Sequence, residues 1–144
     1  ASAFQAAVAD DTPRVVFVQG KLSTSSSFNL GSNKTIVGLC GAELRGSVNI
    51  SGKRNIILRN LKIVGFNCSD SPKDCGAGAD AVHVERADHL WFDHLDISDG
   101  SDGNLDQTRG VDYVTISWSK FSYSSRRRDD AHGESGHRFS NLFA

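Results

Sequence analysis

The chain has 144 residues, about one domain's worth, and its charges nearly cancel at a formal net charge of -1. That balance does not suggest a strongly basic nucleic-acid binder, and no acidic tail is present. Apolar residues make up 38% of the chain but come in short runs, none near the roughly 20 needed to span a bilayer.

Taken in order, the first element is a short helix over residues 2–9. Asp10-Asp11-Thr12-Pro13 ends it, and the strand Arg14-Val15-Val16-Phe17-Val18 follows. From there one pattern returns. Thr35-Ile36-Val37-Gly38 follows Asn33-Lys34, and an apolar alternation over residues 56–63 follows Asn55. A third copy over residues 90–97 follows His89, and a fourth over residues 114–121 follows Tyr113. Each is read as one strand. Shorter strands lie between them, at residues 47–50, 81–84 and 104–107, with the alternation of half-buried strands.

Successive copies are offset by about 21, 34 and 24 residues. Without an insertion around Cys68 and Cys75, the period stays in the low twenties. Such a period with several short strands predicts an all-β solenoid whose coils stack to share one core. Stacking puts Leu58, Phe92 and Ile116 in one inward column, and Ile63, Ile97 and Phe121 in another. A leucine-rich repeat is rejected, because its fixed Leu-and-Asn spacing is missing and no helix recurs. The N-terminal helix serves as a cap over one end of the stack. Nothing at Asn141-Leu142-Phe143-Ala144 resembles a second cap. With no Met in the chain, the expectation is a processed or partial chain over residues 1–144.

Asp99-Gly100-Ser101-Asp102-Gly103-Asn104-Leu105-Asp106 is the densest acidic cluster. One coil earlier, Asp80 opens a strand. Stacked coils bring Asp80 close to Asp102 and Asp106. Three converging carboxylates repel unless a cation neutralises them, and oxygen donors select a hard ion such as calcium. The alternative is an acidic, Gly-rich turn held in solvent. The cluster is not an EF-hand loop, since flanking helices and the terminal Glu are missing.

Other signals are weaker. Cys68 and Cys75 bracket a polar loop and form either a local disulfide or two free thiols. Cys40, in an apolar stretch, is expected in the core. Gly76-Ala77-Gly78-Ala79-Asp80-Ala81 mimics a dinucleotide fingerprint but leads into a strand. Arg126-Arg127-Arg128, His132 and His137 read as solvated loop residues. Asp93 and His94 are expected to share a buried or edge hydrogen bond. Trp91 and Trp118 fit packing or sugar-stacking roles equally well. Asn-x-Ser/Thr sequons begin at Asn33, Asn49 and Asn67. Residues 1–9 show neither the basic start nor the apolar middle of a signal peptide.

At these residues the chain resembles the family-1 polysaccharide lyases. The motifs are Ser32-Asn33-Lys34-Thr35-Ile36-Val37-Gly38, Asn55-Ile56-Ile57-Leu58-Arg59-Asn60-Leu61, Asp80-Ala81-Val82, Trp91-Phe92-Asp93-His94, Asp102-Gly103-Asn104-Leu105-Asp106 and Val114-Thr115-Ile116-Ser117-Trp118. They fall in the family's order over nearly the whole chain. Within that family it resembles the pectate lyases.

The resemblance implies a right-handed parallel β-helix, incomplete at its C-terminal end. It implies calcium (Ca2+) held by Asp80, Asp102 and Asp106, with Gly78 where a fourth carboxylate is often found. It implies β-elimination on polygalacturonate by a secreted, monomeric parent protein, with no membrane or nucleic-acid partner. The family's base is an Arg that matches no position up to Ala144, so this segment is expected to show little or no lyase activity by itself. Arg138 falls near a substrate-holding Lys of some members. Rival readings are a non-catalytic β-helix that binds acidic polysaccharide and an allergen-like relative with weak activity.

Overall fold

A computed structural model of the chain describes residues 1–65, 80–101 and 103–123. The order is α1 (Ser2–Val8), β1 (Arg14–Val18), β2 (Lys21–Asn29), β3 (Lys34–Gly38), β4 (Glu43–Ser51), β5 (Arg54–Arg59), β6 (Lys62–Val64), β7 (Val82–Glu85), β8 (Asp88–Asp93), β9 (Asp96–Ser98), β10 (Leu105–Thr108), β11 (Asp112–Ser117) and β12 (Lys120–Ser122).

Every ladder among these strands is parallel. One sheet runs β1-β3-β5-β8-β11. The other runs β10-β7-β4-β6-β9-β12, with β2 also on β4. The long β4 joins two ladders: Glu43 to Arg45 pair with β6, and Val48 to Ser51 pair with β7. Between those parts Gly46 has φ 127°, and a Cβ there would meet Thr24 Cγ2 at 2.6 Å. Only glycine fits that bend. Among the described residues the result is a parallel β-solenoid of about 4 turns, the solenoid that the repeat predicts and the right-handed parallel β-helix that the family resemblance implies.

The core forms the expected columns. Ile36 pairs with Leu58, Leu58 with Phe92, and Phe92 with Ile116. Ile63 pairs with Ile97, and Ile97 with Phe121. Leu58, Phe92, Ile63 and Ile97 are all buried. Each such side chain removed from water contributes about 1.5–3 kcal/mol. At one end α1 buries Phe4 and Val8, and Phe4 meets Phe28 edge-to-face with ring centroids 5.2 Å apart. Gln5 completes that cap. It donates to the Asn29 carbonyl and accepts from the Asn29 amide, at 2.9 and 3.0 Å.

Three sequence expectations need correction. The copies at residues 56–63, 90–97 and 114–121 are each two strands, broken at Asn60, His94 and Trp118, whose φ values are 55°, 52° and 50°. The reason is geometric. Leu58 and Ile63 are an odd number of residues apart, so one straight strand would send them to opposite faces. A left-handed corner between them turns both inward. Second, β2 was not foreseen. Its serines give little apolar signal, and Phe28 is its buried residue. Third, Cys40 is exposed instead of buried. It sits beside the turn at Gly41, which has φ 77°.

The left-handed corners stack as columns of their own. Asn55 donates from Nδ2 to Asn33 Oδ1 at 3.0 Å. His89 stacks on Tyr113 with centroids 4.8 Å apart, and His94 on Trp118 at 6.2 Å. Asparagine tolerates positive φ; the aromatic residues are held there by their stacked neighbours.

Candidate metal centre

The strands β2, β4, β7 and β10 alternate apolar and polar residues, so one column of polar side chains leaves the core and faces outward. In register that column reads Asn29, Asn49, His83, Asp106. Asn49 donates from Nδ2 to Asn29 Oδ1 at 2.9 Å, the amide ladder expected of stacked identical residues. At the next two coils the ladder changes chemistry, from amide to imidazole to carboxylate.

Asp80 enters this face from the corner just before β7. It is buried, and its backbone carbonyl accepts the Ser47 hydroxyl at 2.8 Å. Its Oδ2 lies 3.1 Å from His83 Nδ1, and Asp106 Oδ2 lies 3.8 Å from the same nitrogen. The ligand-capable atoms of Asp80, His83 and Asp106 all fall within 4.8 Å of one another. On the far side of the ring, His83 Nε2 is 3.7 Å from Glu85 Oε2. Glu85 is in turn fixed by Arg109, whose Nη1 is 3.2 Å away, and by Arg86. Those guanidiniums are largely exposed and line the edge of the same face.

The loop leading into β10 is pinned from below. Asn104 is buried; its Oδ1 accepts the Gly100 amide at 3.1 Å and its Nδ2 donates to the Ser122 carbonyl at 3.2 Å. A Cβ on Gly100 would stand 1.7 Å from the Gly103 carbonyl oxygen. Gly103 in turn accepts the Ala81 amide at 2.9 Å. Backbone contacts from this loop thus tie the coil of Asp106 to that of Asp80.

Two carboxylates and one imidazole on a half-open face suit a divalent cation. Asp80 is the anchor, since a carboxylate this buried needs a positive or hydrogen-bonding partner. Sequence reasoning singled out Asp80 and Asp106, and the fold brings them together. It missed His83. The signal was available: His83 occupies an outward position of its strand, two ahead of Glu85, but only the ladder register shows that it opposes Asp106. Asp102, Arg138, Gly78, Cys68, Cys75, Asn67, Arg126 to Arg128, His132 and His137 lie outside the described residues.

A second polar cluster covers the other sheet. Ser117 donates to Asp93 Oδ1 at 2.6 Å and accepts from Trp91 Nε1 at 3.0 Å. Arg59 Nε and His94 Nδ1 reach Asp93 Oδ2 at 3.1 and 2.9 Å. The Ser117 hydrogen bond, with His94 and Arg59 beside it, holds the Asp93 carboxyl below the usual carboxylate range. The expected Asp93–His94 contact is therefore present and buried at its Asp93 end. Trp91 is partly packed in this cluster, whereas Trp118 is 84% exposed and touches His94 from outside.

A parallel β-solenoid bearing a carboxylate–imidazole site on an outward sheet face is what the geometry defines. A pectate lyase family model matches residues 6–137, and the chain belongs to that family. It is 37% identical over 91 residues to a pectate trisaccharide-lyase of Thermotoga maritima, covering 62% of this chain and 25% of the relative. It is 33% identical over 165 aligned positions to pectate lyase E of Dickeya chrysanthemi, covering 83% and 39%. Pectate lyase A of Aspergillus niger is 36% identical over 126, covering 81% and 36%. A solved pectate lyase structure aligns with a TM-score of 0.48 and 24% identity over 78% of this chain and 36% of its own. The chain thus spans between 25% and 39% of these curated relatives. Among the described residues, no helix is long and apolar enough to cross a membrane.

Proposed function

We propose that the whole protein is a secreted, monomeric, calcium-dependent pectate lyase that cleaves de-esterified polygalacturonate by β-elimination. The observation that supports this most is the convergence of Asp80 and Asp106, from successive coils, on one outward sheet face of a pectate lyase family member. Asp80 and Asp106 would hold the ion, with Asp102 as the third carboxylate that the family resemblance implies. Bound calcium would withdraw electron density from a uronate carboxylate, making the hydrogen at C5 more acidic.

The chain's own residues contribute position and charge. Asp80, buried beside β7, fixes where the cation sits. Arg86 and Arg109 keep Glu85 neutralised, so the face does not simply repel a polyanion. The elimination removes the C5 proton and breaks the C4–O4 bond without water. The family resemblance gives the base role to an Arg that no position here matches, so this chain alone should form little unsaturated product.

The test is an ultraviolet assay for unsaturated uronides with polygalacturonate, run on the whole protein and on this chain. Product that needs calcium, disappears with chelator, and is lost in Asp106→Asn supports the reading. Full activity of the whole protein in chelator would refute it.

A further inference from the structure

The described ligand set includes a nitrogen. His83 Nδ1 points between Asp80 and Asp106, 3.1 and 3.8 Å from their Oδ2 atoms. Those separations suit the edges of a coordination polyhedron with metal–ligand bonds of about 2.0–2.4 Å. The opposite ring nitrogen faces Glu85 at 3.7 Å. That is longer than a hydrogen bond, but it is the side of the ring on which an orienting carboxylate sits behind a metal-bound histidine. Glu85 is itself held by two arginines, so it cannot swing away freely. Imidazole is a poor donor for a hard ion such as calcium and a good one for borderline first-row ions.

We infer that His83 is a cation ligand through Nδ1, and that the site binds Mn2+ and Co2+ more tightly than Ca2+. The inference rests on reading Asp80 and Asp106 as a cation site, and it adds the nitrogen donor and the selectivity. His83 stands in the ladder below Asn49, whose amide offers an oxygen. An Asn at position 83 would therefore continue an existing column, which makes His83→Asn a conservative test of the nitrogen alone.

The experiment is calorimetric titration of the chain with Mn2+ and, separately, with Ca2+, checked by the manganese paramagnetic resonance signal. It is done on the native sequence and on His83→Asn, His83→Gln and Asp106→Asn, each confirmed folded by circular dichroism. Expected is an Mn2+ affinity at least tenfold above that for Ca2+. Both His83 variants should lose at least tenfold in Mn2+ affinity and change Ca2+ affinity by less than about twofold, on the scale that ligand-shell changes produce. Asp106→Asn should weaken both ions. An unchanged Mn2+ to Ca2+ ratio in a folded His83 variant overturns the inference, while a loss of Ca2+ binding in Asp106→Asn still upholds the cation site. Retention of both affinities in Asp106→Asn overturns the two together.

Discussion

Asp106 is the ladder partner of His83, one coil away, and its Oδ2 lies 3.8 Å from His83 Nδ1. Parallel pairing between β7 and β10 makes this contact, since side chains in register on one face of a parallel ladder lie side by side. A change at Asp106 is therefore felt by the imidazole and by the cation proposed to bind beside it. Asp106→Asn keeps the shape and removes the charge. We expect divalent-cation affinity to fall by at least the about 10–100-fold that loss of even an outer partner costs. Titration calorimetry reads it, and unchanged affinity would take Asp106 out of the site.

Gly100 tests the link between coils. An added Cβ would collide with the Gly103 carbonyl, which is backbone and has little room to retreat. Gly100→Ala should cost about 1–3 kcal/mol, the usual range for overpacking, and should also weaken cation binding by shifting the loop before Asp106. Urea unfolding and metal titration on the same sample separate the two effects. A stable variant with normal affinity would show that the loop adjusts freely.

Phe92 sits between Leu58 and Ile116 in the inward column and is fully buried. Phe92→Ala should destabilise the chain by about 3–5 kcal/mol, because the neighbouring coils cannot collapse into the gap. Denaturant unfolding measures this. A loss below about 1 kcal/mol would mean that the coils are not locked by this column.

Asp93 predicts acid sensitivity. Its carboxyl is held below the usual range by Ser117, His94 and Arg59. A group whose folded pKa lies below its unfolded one contributes stability at pH above the unfolded value, about 4. That contribution drains away as pH falls through the folded value. Asp10, Asp11 and Asp88 are lowered as well and add to the slope. The native chain should therefore lose more stability than Asp93→Asn on acidification from about pH 6 to below pH 4. Parallel acid-unfolding curves for the two would contradict the assignment.

Trp118 offers the opposite expectation. It is 84% exposed and contacts the ring of His94. Trp118→Ala should shift stability by no more than about 0.5 kcal/mol, as surface changes usually do. A melting-temperature comparison decides, and a large drop would assign Trp118 to packing.

The inward columns were legible because alternation with period two is local, so Leu58, Phe92 and Ile116 declared themselves one copy at a time. The corners were not. Asn60, His94 and Trp118 share a left-handed backbone but no side-chain type, and His and Trp carry no turn signal of the kind glycine carries. Cys40 was misplaced for a related reason: it lies in an apolar stretch, yet Leu39 beside it is also exposed at the turn between β3 and β4.

By itself the sequence determined the repeat, the β-solenoid class and the stacked core, because each follows from short-range pattern and from the need of every coil to bury its inner face. Only the tertiary structure decided which outward side chains meet. Ile56 pairs with Leu90, 34 positions on, and Leu90 with Val114, 24 on. Loops of such unequal length leave lateral neighbours undefined until the hydrogen-bonded register fixes them, and that register is what sets His83 between Asp80 and Asp106.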